Sequence, residues 1–296
     1  MMSGQNNQSL PEIGFIGLGN IGKPMALKLH ETLLEQGAAL RVYDYIAKPM
    51  KSLSAQGATA CDGITDFSSC QLVGVCVRDD DDVDALLHGA AKESGLLSVL
   101  AEGAVIAIHS TVTRDNILRW SAQAAERGIV LVDAPVTGGA EGAQNGTLCY
   151  MVGASEEGYR LLARCYGAAA KEVLHAGPVG SGIVLKLANN LMTYAAFVAV
   201  DEALALVEAN GLKLEQLLHV GEINGVVTAQ MQRFISNREM LAQGCSDEDM
   251  AALMGPFAGL AEKDLEHALT LAEQSSQPLA ATQLVREKIR ATFLRE

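Results

Sequence analysis

From residue 13 to about residue 178, short apolar runs alternate with longer segments whose apolar positions recur at helical spacing. The runs, at residues 13–18, 39–43, 72–77, 105–109 and 129–132, are short and mainly apolar, and each gives way to polar or glycine residues. Strands buried on both faces read this way, so the pattern predicts a parallel sheet covered by helices. Beyond Gly182 strand-like runs cease. A helical period runs over residues 183–209, stops at Asn210-Gly211 and gives way to further helices. The predicted fold is α/β, a doubly wound parallel sheet over residues 13–178, followed by an all-α domain over residues 179–296 joined through a long helix. The boundary is placed near residue 178, where Gly177-Pro178-Val179-Gly180-Ser181-Gly182 interrupts any regular element. Residues 1–12 are polar, with neither a basic start nor an apolar stretch, and read as a disordered leader rather than a secretory signal.

Composition narrows the partners. With 49% apolar and 19% charged residues the chain can bury a large core and is neither disordered nor fibrous. Lys and Arg number 22 against 35 Asp and Glu, a formal charge of −13 that repels polyanions. Nucleic acid and membrane are thereby excluded, and a small molecule is the expected partner. The most apolar stretch, residues 183–200, is interrupted by Lys186, Asn189 and Asn190, so it reads as a buried helix and not as a lipid-facing span. The six cysteines form no C-x-x-C pair and are expected as reduced thiols of a cytoplasmic protein. The six histidines fall in no ligand pattern, so no metal is expected. The acidic run Asp79 to Asp82 sits where a helix should begin, which favours negative charge.

Glycine, 29 of 296 residues, gathers in three informative places. In the first, Gly17-Leu18-Gly19-Asn20-Ile21-Gly22 follows a predicted strand and opens a predicted helix. Gly17 would make the tight turn, Gly19 would let backbone approach a pyrophosphate, and Gly22 would allow close helix packing. Asp44 ends the second strand, 22 residues after Gly22, where a carboxylate accepts both ribose hydroxyls. The same charge repels a 2′-phosphate, so NAD is favoured over NADP. Lys48 and Lys51 nearby weaken that preference slightly.

The second place is the loop from Asp133 through Thr147, directly after a strand. Its exposed N–H groups, with the Thr137 hydroxyl, suit a substrate carboxylate; a tight crossover loop would look the same. In the third, Gly180-Ser181-Gly182 leads into a helix with Lys186 and Asn190 on one face and Asn189 beside them. A lysine desolvated on an apolar helix can exchange a proton with a hydroxyl near neutral pH, whereas one that snorkels to the surface cannot.

Taken together the chain resembles the β-hydroxyacid dehydrogenases, which include 3-hydroxyisobutyrate dehydrogenase and tartronate semialdehyde reductase. The resemblance spans nearly the whole chain, on residues 14–26, Ser110-Thr111, residues 133–147, residues 180–190 and the late run Phe257-Ala258-Gly259-Leu260-Ala261-Glu262-Lys263-Asp264-Leu265. It implies a Rossmann-type domain followed by a helical domain joined by a long helix. It further implies Lys186 as the catalytic lysine and Asn190 as the group that orients substrate, with Asn189 beside it. Thr137, Gly138 and Gly139 would hold the substrate acid group, Thr111 would contact the nicotinamide ribose, and Lys263 would close over the cofactor side. A homodimer or homotetramer is expected.

Three departures bear on substrate. The fourth strand of the family commonly ends in an apolar residue and a proline beside the nicotinamide, but here Val77 is followed by Arg78. Arg78 either pairs with a second anionic group on substrate or cofactor or forms a salt bridge to the adjacent aspartates. Ile108 stands where an aspartate is usual, and Arg114 where a proline is. The chain ends 33 residues after Lys263, which implies a shortened last helix. Two other readings stand beside the dehydrogenase: an imine reductase-like enzyme, a class that generally lacks the lysine, and a noncatalytic NAD(P)-binding protein.

Overall fold

The structure, a computed structural model, describes residues 11–89 and 94–295; residues 1–10 of the expected leader lie outside the described residues. The chain opens with β1 (Ile13–Ile16), α1 (Gly22–Leu34), β2 (Leu40–Tyr43), α2 (Ala47–Ser54) and β3 (Thr59–Ala60). β4 (Leu72–Val75), α3 (Asp80–His88), α4 (Leu96–Val99), β5 (Val105–Ile108), α5 (Arg114–Ala125) and β6 (Val130–Asp133) follow. Then come β7 (Val136–Thr137), α6 (Gly139–Asn145), β8 (Cys149–Gly153), α7 (Glu156–Tyr166) and β9 (Glu172–Gly177).

Among the described residues nine strands join one sheet in the order β3-β2-β1-β4-β5-β6-β8-β7, with β9 paired to β8. From β3 to β6 the neighbours are parallel, with Ile13 opposite Leu40 on one side and Leu72 on the other, and Val105 opposite Leu72 and Val130. This is the doubly wound order, and its direction reverses between β1 and β4, where such sheets bind ligands beyond their carboxyl ends. Every residue of β1, β4 and β5 is buried, which is why these strands read as continuous apolar runs. On α1, Met25, Ala26, Leu29 and Leu33 recur at helical spacing and are buried against that sheet's core. The predicted parallel sheet is present from β3 to β6, and beyond it β8 runs antiparallel to β6 and β7 and parallel to β9. The chain between β7 and β8 holds only the seven-residue α6, which turns it back along its neighbour. The acidic run does cap a helix: the Asp79 side chain accepts from Asp82 N at the start of α3.

The rest of the described chain is helical: α8 (Ser181–Ala209), α9 (Leu214–Ile223), α10 (Ala229–Gly244), α11 (Asp247–Gln274) and α12 (Ala280–Leu294). The chain divides into two compact units after Lys186, inside α8. By length and composition α8 could cross a membrane, its most apolar window averaging a hydropathy of 1.5. One side of it, Phe197, Val198, Val200 and Leu204, belongs to the core of the helical unit, while only 33% of that window is buried and Met192 stays exposed, so the helix is less buried than its sequence predicts. Phe197 stacks on Phe234 at 4.0 Å between centroids, and Phe293 meets Phe234 edge-on. Arg238, 1% exposed, knits the same unit, with Nη1 donating to Asp201 Oδ1 (2.5 Å) and to the Thr292 carbonyl (2.7 Å), and Nη2 to Glu239 Oε1 (2.6 Å). A buried guanidinium satisfied by two carboxylates and a carbonyl avoids the cost of an unpaired charge.

Candidate active site

The glycine turn between β1 and α1 is held by its own backbone. Gly17 adopts φ +92°, and its N–H donates to the Tyr43 carbonyl at 3.0 Å. A Cβ on Gly17 would lie 2.2 Å from the Cys76 carbonyl oxygen, and one on Gly22 would lie 2.0 Å from the Gly17 carbonyl oxygen. Glycine is therefore enforced by backbone at both places. At Gly19, by contrast, a Cβ would meet nothing within 4 Å, and Gly19 and Asn20 are exposed at the mouth of the turn. Leu18 is buried and Ile21 is the N-cap of α1. The turn thus leaves one face bare beside a helix N-terminus, the shape a pyrophosphate requires. Asp44 closes the arrangement, its Oδ2 accepting from Leu18 N at 2.6 Å and its Oδ1 from Ile46 N at 2.7 Å. The carboxylate is locked to the glycine turn, and each oxygen keeps a further lone pair for a ribose hydroxyl. Tyr45 and Ile46, which the sequence reading passed over, are 72% and 65% exposed beside Asp44. Two large, largely apolar residues directly after the acid that follows β2 were the available signal.

At the ends of β4 and β5 the loops are clamped together. Ser110 Oγ accepts from Val77 N (2.8 Å) and donates to the Val77 carbonyl (2.9 Å), while Thr111, next in the chain, is partly exposed. Asp80 Oδ1 accepts from Thr113 N, Thr113 Oγ1 and Asn116 Nδ2 at 3.0, 2.7 and 2.6 Å, tying the starts of α3 and α5. Arg78 is placed with Asp82: Nε donates to Oδ2 (2.8 Å) and Nη2 to Oδ1 (2.9 Å), with the arginine side chain 82% exposed. This is the salt bridge to the aspartates that follow it, formed with Asp82 one helical turn on. Ile108 is wholly buried in β5, and Arg114 begins α5. His109 is a core residue, its Nδ1 2.8 Å from the Ala134 carbonyl and its Nε2 3.1 Å from the Tyr166 hydroxyl. Burial pushes its pKa down to about 4, so the ring is neutral; Nδ1–H donates to the carbonyl and Nε2 accepts from the phenol.

The loop after β6 places Thr137 at the end of β7, followed by Gly138 at φ +124° and Gly139 at φ +67°. A Cβ on Gly139 would meet nothing within 4 Å, so this backbone too is bare on one side. Just upstream, Asp133 is fully buried, and its carboxylate accepts from Gly180 N (2.6 Å) and Ile183 N (2.8 Å) at the start of α8. Burial pushes its pKa up to about 6 against those backbone hydrogen bonds. Lys186 is half-buried on the second turn of α8.

Within the helical unit, Asn190 is buried and its Nδ2 donates to Asp264 Oδ2 at 2.7 Å; the Tyr194 hydroxyl donates to the same oxygen at 3.1 Å. Asn189 Nδ2 lies 3.4 Å from Asn190 Oδ1, and Lys263 Nζ lies 3.6 Å from Asp264 Oδ1. Asn189, Asn190 and Lys263 are thus gathered around Asp264, to which the sequence reading gave no role. The signal for it was a carboxylate at a core position of α11, between the buried Ala261 and Ala268. Lys186 and Asn190 lie one turn apart on α8.

Comparison with known proteins places the fold and the family. Residues 12–177 match the NAD binding domain of 6-phosphogluconate dehydrogenase. The 2-(hydroxymethyl)glutarate dehydrogenase of Eubacterium barkeri is 33% identical, covering 92% of this chain and 85% of its own. The NAD-dependent L-serine dehydrogenase of Pseudomonas aeruginosa is 34% identical, covering 71% and 69%. Among solved structures, Mycobacterium tuberculosis 3-hydroxyisobutyrate dehydrogenase with L-serine has the same fold, with a TM-score of 0.79 at 22% identity over 97% of this chain and 94% of that one. The chain therefore belongs to the β-hydroxyacid dehydrogenase family, as an oxidoreductase built on the nicotinamide-dinucleotide domain of 6-phosphogluconate dehydrogenase.

Proposed function

We propose that this protein is a cytoplasmic, NAD-dependent dehydrogenase of a small 3-hydroxy acid, of the 3-hydroxyisobutyrate or glycerate/tartronate semialdehyde type, with Lys186 as general acid/base. The observation that carries the reading is Lys186 itself, a half-buried lysine one helical turn before the locked carboxamide of Asn190. The bare turn at Gly19, with Asp44 fixed beside it, fits the dinucleotide. Bound nicotinamide supplies a two-electron hydride acceptor. Thr137, Gly138 and Gly139 hold the substrate carboxylate, and Asn190 directs the hydroxyl. Neutral Lys186 takes the hydroxyl proton at Nζ as the C–H hydride leaves and the carbonyl forms. In the reverse reduction its ammonium returns that proton to the alkoxide. The imine reductase-like reading lacks a use for this lysine, and a noncatalytic NAD(P)-binding protein would not need it.

A spectrophotometric panel at moderately alkaline pH tests the whole reading, with 3-hydroxyisobutyrate, glycerate, L-serine and 2-(hydroxymethyl)glutarate, each with NAD and NADP. Oxidation of at least one acid with NAD preferred is expected. Preference for NADP would overturn the argument from Asp44, and NAD binding without turnover of any acid would favour the noncatalytic reading. The same panel addresses Arg78, since one relative is named for a substrate with two carboxylates. If Arg78 exchanges Asp82 for a second carboxylate, Arg78→Ala should lower kcat/KM about tenfold on the dianion only. Equal losses on mono- and dianions would sink that assignment.

A homodimer or homotetramer is proposed as well. Met192, Leu206, Val220 and Ile223 of the helical unit are each 60% exposed or more, an unusual density of large apolar residues in water. Light scattering should return two or four chain masses, and a monomer at micromolar concentration would refute it.

A further inference from the structure

Asp133 raises a question that its place in the strand does not answer. A carboxylate at 0% exposure is expensive, and among the described residues backbone N–H groups satisfy it. Its site is fitted to it closely. A Cβ on Gly153 would lie 2.2 Å from Oδ1, and one on Gly182 would lie 2.9 Å from Oδ2 and 2.2 Å from the Met151 carbonyl oxygen. Both glycines make room for this group. Its backbone is fixed by the sheet, opposite Ile108 on one side and Gly153 on the other. Its side chain grips Gly180 and Ile183, the residues that set the first turn of α8, and a negative charge there is favoured by the helix dipole.

Two parts of the proposed chemistry hang from this one residue. Four residues after Asp133 comes Thr137, and three residues after Ile183 comes Lys186, less than one turn along the helix. A rotation or slide of α8 by a fraction of a turn would carry Nζ away from the loop that holds the acid. We propose that Asp133 is a positioning residue, its carboxylate fixing the first turn of α8 against the end of β6 so that Lys186 stands in register with the Thr137 to Gly139 loop. The inference rests on the reading of Lys186 as acid/base.

The test is a double-mutant cycle of Asp133→Asn and Lys186→Ala in the full-length protein, read as kcat, KM and the dissociation constant for NAD. Asparagine matches the shape but offers one acceptor oxygen where the carboxylate offers two, so either Gly180 N–H or Ile183 N–H loses its partner. Asp133→Asn should lower kcat ten- to a hundredfold and leave NAD affinity within about twofold, because misalignment of a proton acceptor falls on the chemical step. In the Lys186→Ala background it should lower the residual rate by less than twofold, since nothing remains to be positioned. An equal loss in both backgrounds, an unchanged kcat, or a loss confined to NAD affinity each overturns the proposal. Near-normal turnover by Lys186→Ala alone brings down the acid/base reading, and the positioning role falls with it. If Asp133→Asn does not fold, amide hydrogen exchange of the wild type decides. Protection of Gly180 and Ile183 well beyond that of neighbouring loop amides is expected, and free exchange at both would overturn the proposal.

Discussion

Replacing Lys186 by alanine is expected to lower kcat/KM for hydroxy acid oxidation by a factor of about 100 to 10,000 while NAD binds within twofold of wild type. The range is that of a single positioned proton acceptor. Alanine is the best helix former, so α8 should keep its stability, and the glycine turn and Asp44 lie elsewhere in the nucleotide-binding unit. Lys186→Arg separates two ways in which the lysine could act. Arginine keeps the positive charge but cannot be deprotonated in a protein, so it could stabilise a developing alkoxide and could not accept a proton. Oxidation by Lys186→Arg should therefore be as slow as by Lys186→Ala. Substantial activity in the arginine variant would make the lysine an electrostatic group only, and near-normal activity in the alanine variant would remove it from the mechanism. Steady-state kinetics with NAD titrated by fluorescence reads both outcomes.

The parts of this arrangement that were legible in the sequence share a cause. Strands β1, β2, β4, β5 and β6 lie in the interior of the sheet, so their residues are selected for burial and appear as apolar runs. The glycine turn was legible because three glycines fall within six residues directly after a strand, and Asp44 because it directly follows a strand. β3 and β7 are two residues long and carry no period to detect. β8 was missed because Cys149 to Gly153 follows a loop rich in glycine, and its direction depends on pairing that lies far away in sequence. Asp264 and Asp133 were hidden for the same reason. Their partners, Asn190 and Tyr194 for one and Gly180 and Ile183 for the other, are tens of residues distant, and no local spacing announces them. Arg78 was ambiguous in sequence because a guanidinium pairs equally well with an anionic group of a ligand and with the aspartates that follow it; in the structure it is paired with Asp82.

The largest effect on the protein itself is expected at Gly17, and its neighbour Gly19 provides the contrast. An alanine at Gly17 must take φ +92°, which costs an L-residue on the order of 1–2 kcal/mol. Its Cβ must also find room 2.2 Å from the Cys76 carbonyl oxygen and 2.7 Å from the carbonyl carbon. Those atoms are backbone at the end of β4, so relief requires moving either that strand end or the turn, which is bonded through Gly17 N to the Tyr43 carbonyl. Gly17→Ala should therefore lose about 3 kcal/mol or more of stability, seen as a Tm lowered by roughly 6 °C or more, together with NAD binding. At Gly19 a Cβ meets no protein atom within 4 Å and φ is not in the left-handed region, so Gly19→Ala should melt within about 2 °C of wild type. Its methyl group nevertheless projects from the bare face of the turn, so NAD affinity should still fall at least tenfold. Stability lost at one glycine and affinity alone lost at the other would separate what the turn needs to fold from what it needs to bind. Normal NAD affinity in Gly19→Ala would show that the pyrophosphate lies elsewhere, and an unchanged Tm in Gly17→Ala would show that the end of β4 yields more readily than close-packed backbone should.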